Sequence, residues 1–182
     1  MDLFSKVGYE AAGVAEICEK CGISKGAFYH HFPTKQTVFL ELLEKWLADL
    51  EAAMEQAARE VKSVPEAFRA MASSMRGIMQ VADGRISIFL EFWTQARRDP
   101  EVWERTIKPF RHYRRIFELL ICRGVQEGSF KDVDPILTAH TLVSFAVGAL
   151  LQGVVDPEGA KWDDILPRSI EFFLHAMMKG QT

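Results

Sequence analysis

The sequence predicts an all-α protein in two parts, a compact three-helix head followed by a helical bundle. Three observations carry the prediction. Apolar residues recur at spacings of three and four along most of the chain, and no stretch alternates strictly as a half-buried strand does. Glycine, proline and the capping residues serine, threonine and aspartate fall between the periodic runs, where helices stop and start. Of 182 residues, 48% are apolar and 26% charged, which suits a globular core and suggests neither disorder nor a membrane-embedded chain.

In the head, MDLFSKVG reads as the end of a helix stopped at Gly8. Gly13 stands at the N-cap of a short helix from Val14 to Lys20, on which Val14, Ile17, Cys18 and Cys21 share one face. Gly22 supplies the next turn, and Ser24 caps a second short helix reaching about His31. Pro33 ends that helix, because the residue before a proline is pushed out of helical geometry. Thr34 then caps a long helix from Lys35 to about Val61. Its stripe runs through Val38, Leu42, Trp46, Leu50, Ala53 and Met54, with Lys45 and Asp49 at the edges.

Ser63, Val64 and Pro65 break the pattern, and Pro65 suits the first turn of a helix over Glu66 to Ala82. Asp83 and Gly84 make a break before a helix from Arg85 to Arg98. Asp99-Pro100 starts the next, which runs to about Glu127, is kinked by Pro109 and is stopped by Gly128. Pro135 to Val154 and Trp162 to Lys179 are the last two, separated by DPEGAKW. The stretch Ile136 to Val155 is long enough to span a bilayer, but it carries Thr138, His140, Thr141, Ser144 and Gln152. A helix apolar on nearly every side also serves a subunit interface, so no membrane partner is expected.

The net charge of -3 gives no global attraction to nucleic acid, so such a partner has to be met by a local surface. Cys18, Cys21 and Cys122 make an odd count, which favours a reducing compartment, and the N-terminus lacks the pattern of a secretory signal. A cytoplasmic protein is expected. Cys18-Glu-Lys-Cys21 has the spacing of redox or zinc sites, yet no second pair accompanies it, and both cysteines fall on the stripe read as buried. His30 and His31 point about 100° apart on a helix, a poor metal pair. His112, His140 and His175 are isolated in sequence. With no nucleophile array, phosphate loop or ligand cluster, neither an enzyme nor a metal or cofactor is expected.

Two short helices joined by a glycine turn form a helix-turn-helix pattern over GISKGAFYHHFPTKQ, residues 22–36. The second helix must be slim enough to enter a major groove, and Gly26 and Ala27 keep its outer face low. Lys25, Tyr29 and His30 can then reach phosphates or base edges, while Phe28 and Phe32, at i and i+4, anchor the helix inward. Thr34 and Lys35 bring a hydroxyl and an ammonium to the start of the following helix, where they suit a phosphate.

Residues 3–43, LFSKVGYEAAGVAEICEKCGISKGAFYHHFPTKQTVFLELL, resemble the N-terminal DNA-binding domain of the TetR family of bacterial transcriptional regulators. The resemblance lies in the LF-x-x-x-G-Y entry, an I-A-x-x-x-G-like second helix and the SKGAxYHHF-x-x-K recognition segment. It implies a DNA-binding head at 1–45 and a ligand-binding and dimerisation domain at 46–182. It implies that Ser24, Lys25, Gly26, Tyr29 and His30 face double-stranded DNA at a palindromic operator, with Thr34 and Lys35 on the backbone. Two departures stand out. Gly13 replaces the family's usual Thr or Ser, and a further turn of helix with a basic arm is expected before Met1. Over residues 1–36, Lys6, Lys20, Lys25 and Lys35 are balanced by Asp2, Glu10, Glu16 and Glu19, so the head as given has no net positive charge.

In the second part, Met71, Met75, Ile78, Met79, Phe89, Trp93, Trp103, Phe110, Tyr113 and Phe117 bring methionines and rings together. Core packing accounts for such residues in general. The resemblance implies that they line an adaptable pocket for a small apolar or aromatic effector. FLEFWTQARRDPE is similar to a subgroup whose regulatory halves accept small molecules. The last two helices are expected to form a homodimer interface through Leu142, Phe145, Ala146, Ala149 and Leu150 with Ile170, Phe173, Leu174 and Met177. The function expected is a ligand-responsive repressor. The neutral head leaves open a helical small-molecule carrier whose head no longer binds DNA.

Overall fold

A computed structural model describes residues 2–59, 61–81, 88, 90, 92, 93 and 96–179, without the side chains of residues 74–81, Asp163 and Leu166. Its helices are α1 (Asp2–Val7), α2 (Val14–Cys21), α3 (Lys25–His31), α4 (Lys35–Arg59), α5 (Val64–Val81), α6 (Pro100–Gln126), α7 (Pro135–Val155) and α8 (Trp162–Met177). Between α5 and α6, Ile88, Leu90, Phe92, Trp93 and Ala96 are also helical, whereas the expected break at Asp83 and Gly84 lies outside the described residues. Among the described residues there is no strand, only an isolated bridge between Phe130 and Met178. The all-α class is as expected.

The helix ends follow local chemistry. Gly22 adopts φ +64° after α2, its N–H bonding Glu19 O while that of Ile23 bonds Cys18 O, a glycine-dependent stop. The Ser24 hydroxyl accepts from Ala27 N–H at 3.1 Å, and the Thr34 hydroxyl accepts from Thr37 N–H at 3.1 Å. Asp99 caps α6 through Glu101 and Val102, and Asp134 caps α7 through Ile136 and Leu137. In both cases a proline opens the helix, where no amide hydrogen is needed.

By packing the chain forms two units, residues 1–49 with 82–109 and residues 50–81 with 110–182. The core of the first brings together Leu3, Phe4, Tyr9, Phe39, Leu40, Leu43 and Phe92, all buried. Phe92 belongs here because its ring lies 4.4 Å from that of Phe39 and 5.1 Å from that of Tyr9. Arg105 forks onto Glu44 at 2.9 Å through both Nε and Nη2 and reaches Glu41 at 3.2 Å, tying α6 to α4. Hydrogen bonding to Glu44 raises the Arg105 pKa further.

The second unit packs Val64, Phe68, Ile121, Phe130, Ala139, Leu142, Leu174 and Met177 together. Gly124 lets the Phe130 ring lie against α6, since a Cβ there would meet it at 2.4 Å. Arg69 on α5 donates to Glu171 on α8 at 2.8 and 3.3 Å. The first amide of α5, Val64 N–H, is held by Glu127 at 2.9 Å.

Several side-chain expectations change. The fully buried face of α4 near its start is Phe39, Leu40 and Leu43, which the expected stripe omits. Leu42 and Trp46 of that stripe are partly buried against the same core, and Met54 is buried. Five of six residues in VFLELL are apolar and fit either register. Cys18 is buried as expected, but Cys21 is exposed, since α2 ends there and the chain turns away at Gly22. His112 is not isolated, its Nε2 lying 2.6 Å from Glu51. On the last two helices, Leu142, Ala149, Leu174 and Met177 are spent on the chain's own core. The large apolar groups left outside are Ile136, Leu137, Leu151, Val155 and Phe172.

Candidate nucleic-acid interface

The helix-turn-helix is built outward from Phe28, which is 2% exposed and roots α3. Its ring lies 5.9 Å from that of Phe32 and 5.2 Å from that of Tyr29. With Phe28 inward and Ser24 fixing the first turn, Lys25, Gly26, Ala27, Tyr29 and His30 are all exposed. Tyr29 is 53% exposed, a large ring turned to solvent from a seven-residue helix. Gly26 is not required by packing: a Cβ there would meet only the Ser24 hydroxyl, at an ordinary 3.7 Å. This face can enter a groove and offer an ammonium, a phenol and an imidazole to phosphates or base edges. The sequence reading did not single out Ile23, 41% exposed in the turn beside this face. An isoleucine there carries no chemical signal, and only the fold turns it outward.

Thr34 and Lys35 start α4, where the Thr34 hydroxyl is engaged with Thr37. The Lys35 ammonium is directed back into the head. It donates to Tyr9 O at 2.7 Å and to Glu10 O at 3.0 Å, and it lies 4.6 Å from the centroid of the Tyr9 ring. The expectation that it meets a phosphate did not anticipate these partners, which stand 25 and 26 residues earlier in the chain.

The residues expected to line an effector pocket divide between the units. Trp93 and Trp103 belong to the first, where their rings stack at 6.1 Å and Trp103 packs on the core. Met71, Phe110, Tyr113 and Phe117 belong to the second. Met71 is buried, and Phe117 stacks on Phe68 at 5.8 Å. Burial, with the charge of Glu51 adding to it, pushes the Tyr113 phenol pKa well above its usual range. The side chains of Met75, Ile78 and Met79, and Phe89 as a whole, lie outside the described residues. A separate open hollow of about 360 Å³ lies between the end of α7 and the start of α8, lined by Leu151, Gln152, Val155, Asp156, Gly159 and Trp162. Among the described residues no cluster of His, Cys, Asp and Glu could hold a metal ion.

Comparison with known proteins agrees with this geometry. Residues 1–42 match the family described as bacterial regulatory proteins, tetR family, and residues 68–179 match the BetI-type transcriptional repressor C-terminal domain. The chain is 30% identical over 142 residues to the HTH-type transcriptional repressor AcnR of Corynebacterium glutamicum, covering 77% of this chain and 69% of that protein. It is 24% identical over 174 residues to the repressor DhaR of Mycobacterium sp. strain GP1, covering 94% of this chain and 87% of that one. A TetR transcription regulator from Haloarcula marismortui shares the fold with a TM-score of 0.86 at 18% identity, covering 98% of this chain and 93% of its own.

Proposed function

The chain belongs to the TetR family of DNA-binding bacterial regulators, which are not enzymes, and from that premise we propose a cytoplasmic, homodimeric repressor released from its operator by a small molecule. The outer face of α3 carries this reading, because Lys25, Gly26, Tyr29 and His30 are left to solvent by a helix that Phe28 roots firmly. Two such heads, about 34–36 Å apart, would occupy successive major grooves of a palindromic site. The operator is bound by Ser24, Lys25, Gly26, Tyr29 and His30, with the N-terminus of α4 on the backbone.

The effector is an apolar or aromatic molecule taken up by the second unit, where Met71, Phe110, Tyr113 and Phe117 offer polarisable and ring surface. It acts by population shift. A molecule that binds more tightly to a conformer with wrongly spaced heads weakens DNA binding by that difference in affinity.

The test is fluorescence anisotropy of the full chain on the DNA immediately upstream of its own gene, with a scrambled duplex alongside. Salt-sensitive preference for the native duplex, reversed by an apolar or aromatic compound, is the expected result. Equal weak binding to both duplexes, with tight uptake of such a compound, would replace the repressor by a small-molecule carrier.

A further inference from the structure

Over residues 1–36 the lysines and the acids balance, whereas phosphate neutralisation supplies most of the non-specific affinity for DNA. Two further cations of the same unit, Arg97 and Arg98, stand in the turn that leads into α6. That turn is fixed. Asp99 N–H donates to Ala96 O at 3.1 Å, and Trp103 N–H donates to Asp99 O at 2.8 Å. Ala96 and Val102 flank it, both buried in the core that holds Phe4, Tyr9 and Phe39. The Asp99 carboxylate is occupied by the amides of Glu101 and Val102. Arg97 and Arg98 are both exposed, and neither guanidinium has a partner among the described residues.

Where the pair stands follows from the register of α4 and α6. Arg105 pairs with Glu44 at 2.9 Å, and His112 pairs with Glu51 at 2.6 Å. Both partnerships span 61 residues, so the two helices run in the same direction. The same offset brings Arg97 and Arg98 to the height of Gln36 and Thr37, in the first turn of α4. That is the end of α4 read above as lying on the DNA backbone. Glu101, the acid in the first turn of α6, falls level with Leu40, one turn farther from it.

We propose that Arg97 and Arg98 form a phosphate-binding site outside the helix-turn-helix, which grips the DNA backbone beside the start of α4. This rests on the DNA-binding reading above and deepens it. A guanidinium presents its donors in a planar fork that matches two phosphate oxygens. Such contacts carry no base information, so they add affinity and salt dependence equally on every sequence.

The experiment titrates wild type, R97Q/R98Q, R97K/R98K and K45Q by anisotropy on the upstream duplex and on its scramble, between about 50 and 200 mM salt. R97Q/R98Q is expected to lower the slope of log K against log salt by about 0.9 for each arginine, about 1.8 per bound head. The loss is expected to be the same factor on both duplexes, leaving the preference between them unchanged. R97K/R98K keeps both charges and is expected to keep the slope. K45Q removes a cation 75% exposed, more than two turns beyond Thr37 on α4, and is expected to leave the slope alone. A wild-type slope in R97Q/R98Q, an equal fall in R97K/R98K, or the same fall per charge in K45Q overturns the proposal. A wild type without sequence preference would sink the operator reading alone, because the slopes on the scramble still decide this one. A wild type that binds neither duplex at about 50 mM salt overturns both. Should R97Q/R98Q lose its helical circular dichroism, R97Q and R98Q are titrated singly. Each is then expected to lower the slope by about 0.9 per bound head, and a wild-type slope in both overturns the proposal.

Discussion

Gly26 is a residue that packing does not require and that the proposed DNA contact does. An alanine methyl there meets only the Ser24 hydroxyl at 3.7 Å, so the protein itself loses nothing. Helix propensity favours alanine, by up to about 1 kcal/mol. Gly26→Ala is therefore expected to raise the melting temperature slightly and to weaken operator binding, because the methyl projects from a face that must approach a groove. Melting followed by circular dichroism, set against anisotropy, checks both signs. Equal or tighter DNA binding would remove α3 from the groove. Tyr29→Ala is the complementary case: with the ring 53% exposed, stability should stay within about 0.5 kcal/mol while binding falls about tenfold.

At the scale of elements, the start of α5 depends on a distant carboxylate. Val64 N–H donates to Glu127 at 2.9 Å, and Ser129 donates to the same oxygen at 2.8 Å. The bond from Val64 is the main cause that holds the Glu127 pKa below the usual carboxylate range, with Ser129 and then Arg123 adding to it. A depressed folded-state pKa means that the ionised form is the one folding favours. The stabilisation is full above the unfolded value, about 4.3, and is lost as pH falls through the folded one. Glu127→Ala should cost about 1 kcal/mol in chemical denaturation at neutral pH and progressively less below about pH 4. A cost independent of pH would leave the charge out of the cap.

The same cap marks the limit of what sequence can show. Helix stops and starts were legible because Gly22, Ser24, Thr34 and Asp99 act on backbone groups within a few residues. The Glu127–Val64 contact spans 63 residues, and the Lys35–Tyr9 contact spans 26, so no local signal announces either. The face of α4 was read only in part for a related reason. VFLELL satisfies two registers, and only rings from other elements, such as Phe92 and Tyr9, select Phe39 and Leu43. The outer face of α3 was legible for the opposite reason. Phe28 and Phe32 fix which side of a short helix is inward, and the remaining residues follow from the 3.6-residue turn.

For the whole molecule, the question is what covers α7 and α8. The most apolar window of α7 is only 17% buried within the chain. Leu137 at 65%, Val155 at 76%, Leu151 at 44% and Phe172 at 72% exposed are too many large apolar groups for a surface that meets only water. Under the homodimer we propose, a second copy across a two-fold axis would cover them and give the regulator two heads. Replacing Leu151 and Phe172 together with glutamate places charges on that face without touching the buried Leu142, Ala149, Leu174 or Met177. The variant should remain helical, sediment at one chain mass where the wild type sediments at two, and bind the operator at least about a hundredfold more weakly. Each head contributes equal phosphate contacts, so its salt slope should also fall to about half that of the dimer. A variant still dimeric would place the two-fold axis elsewhere. A monomer of undiminished affinity would mean that one head reads the site alone.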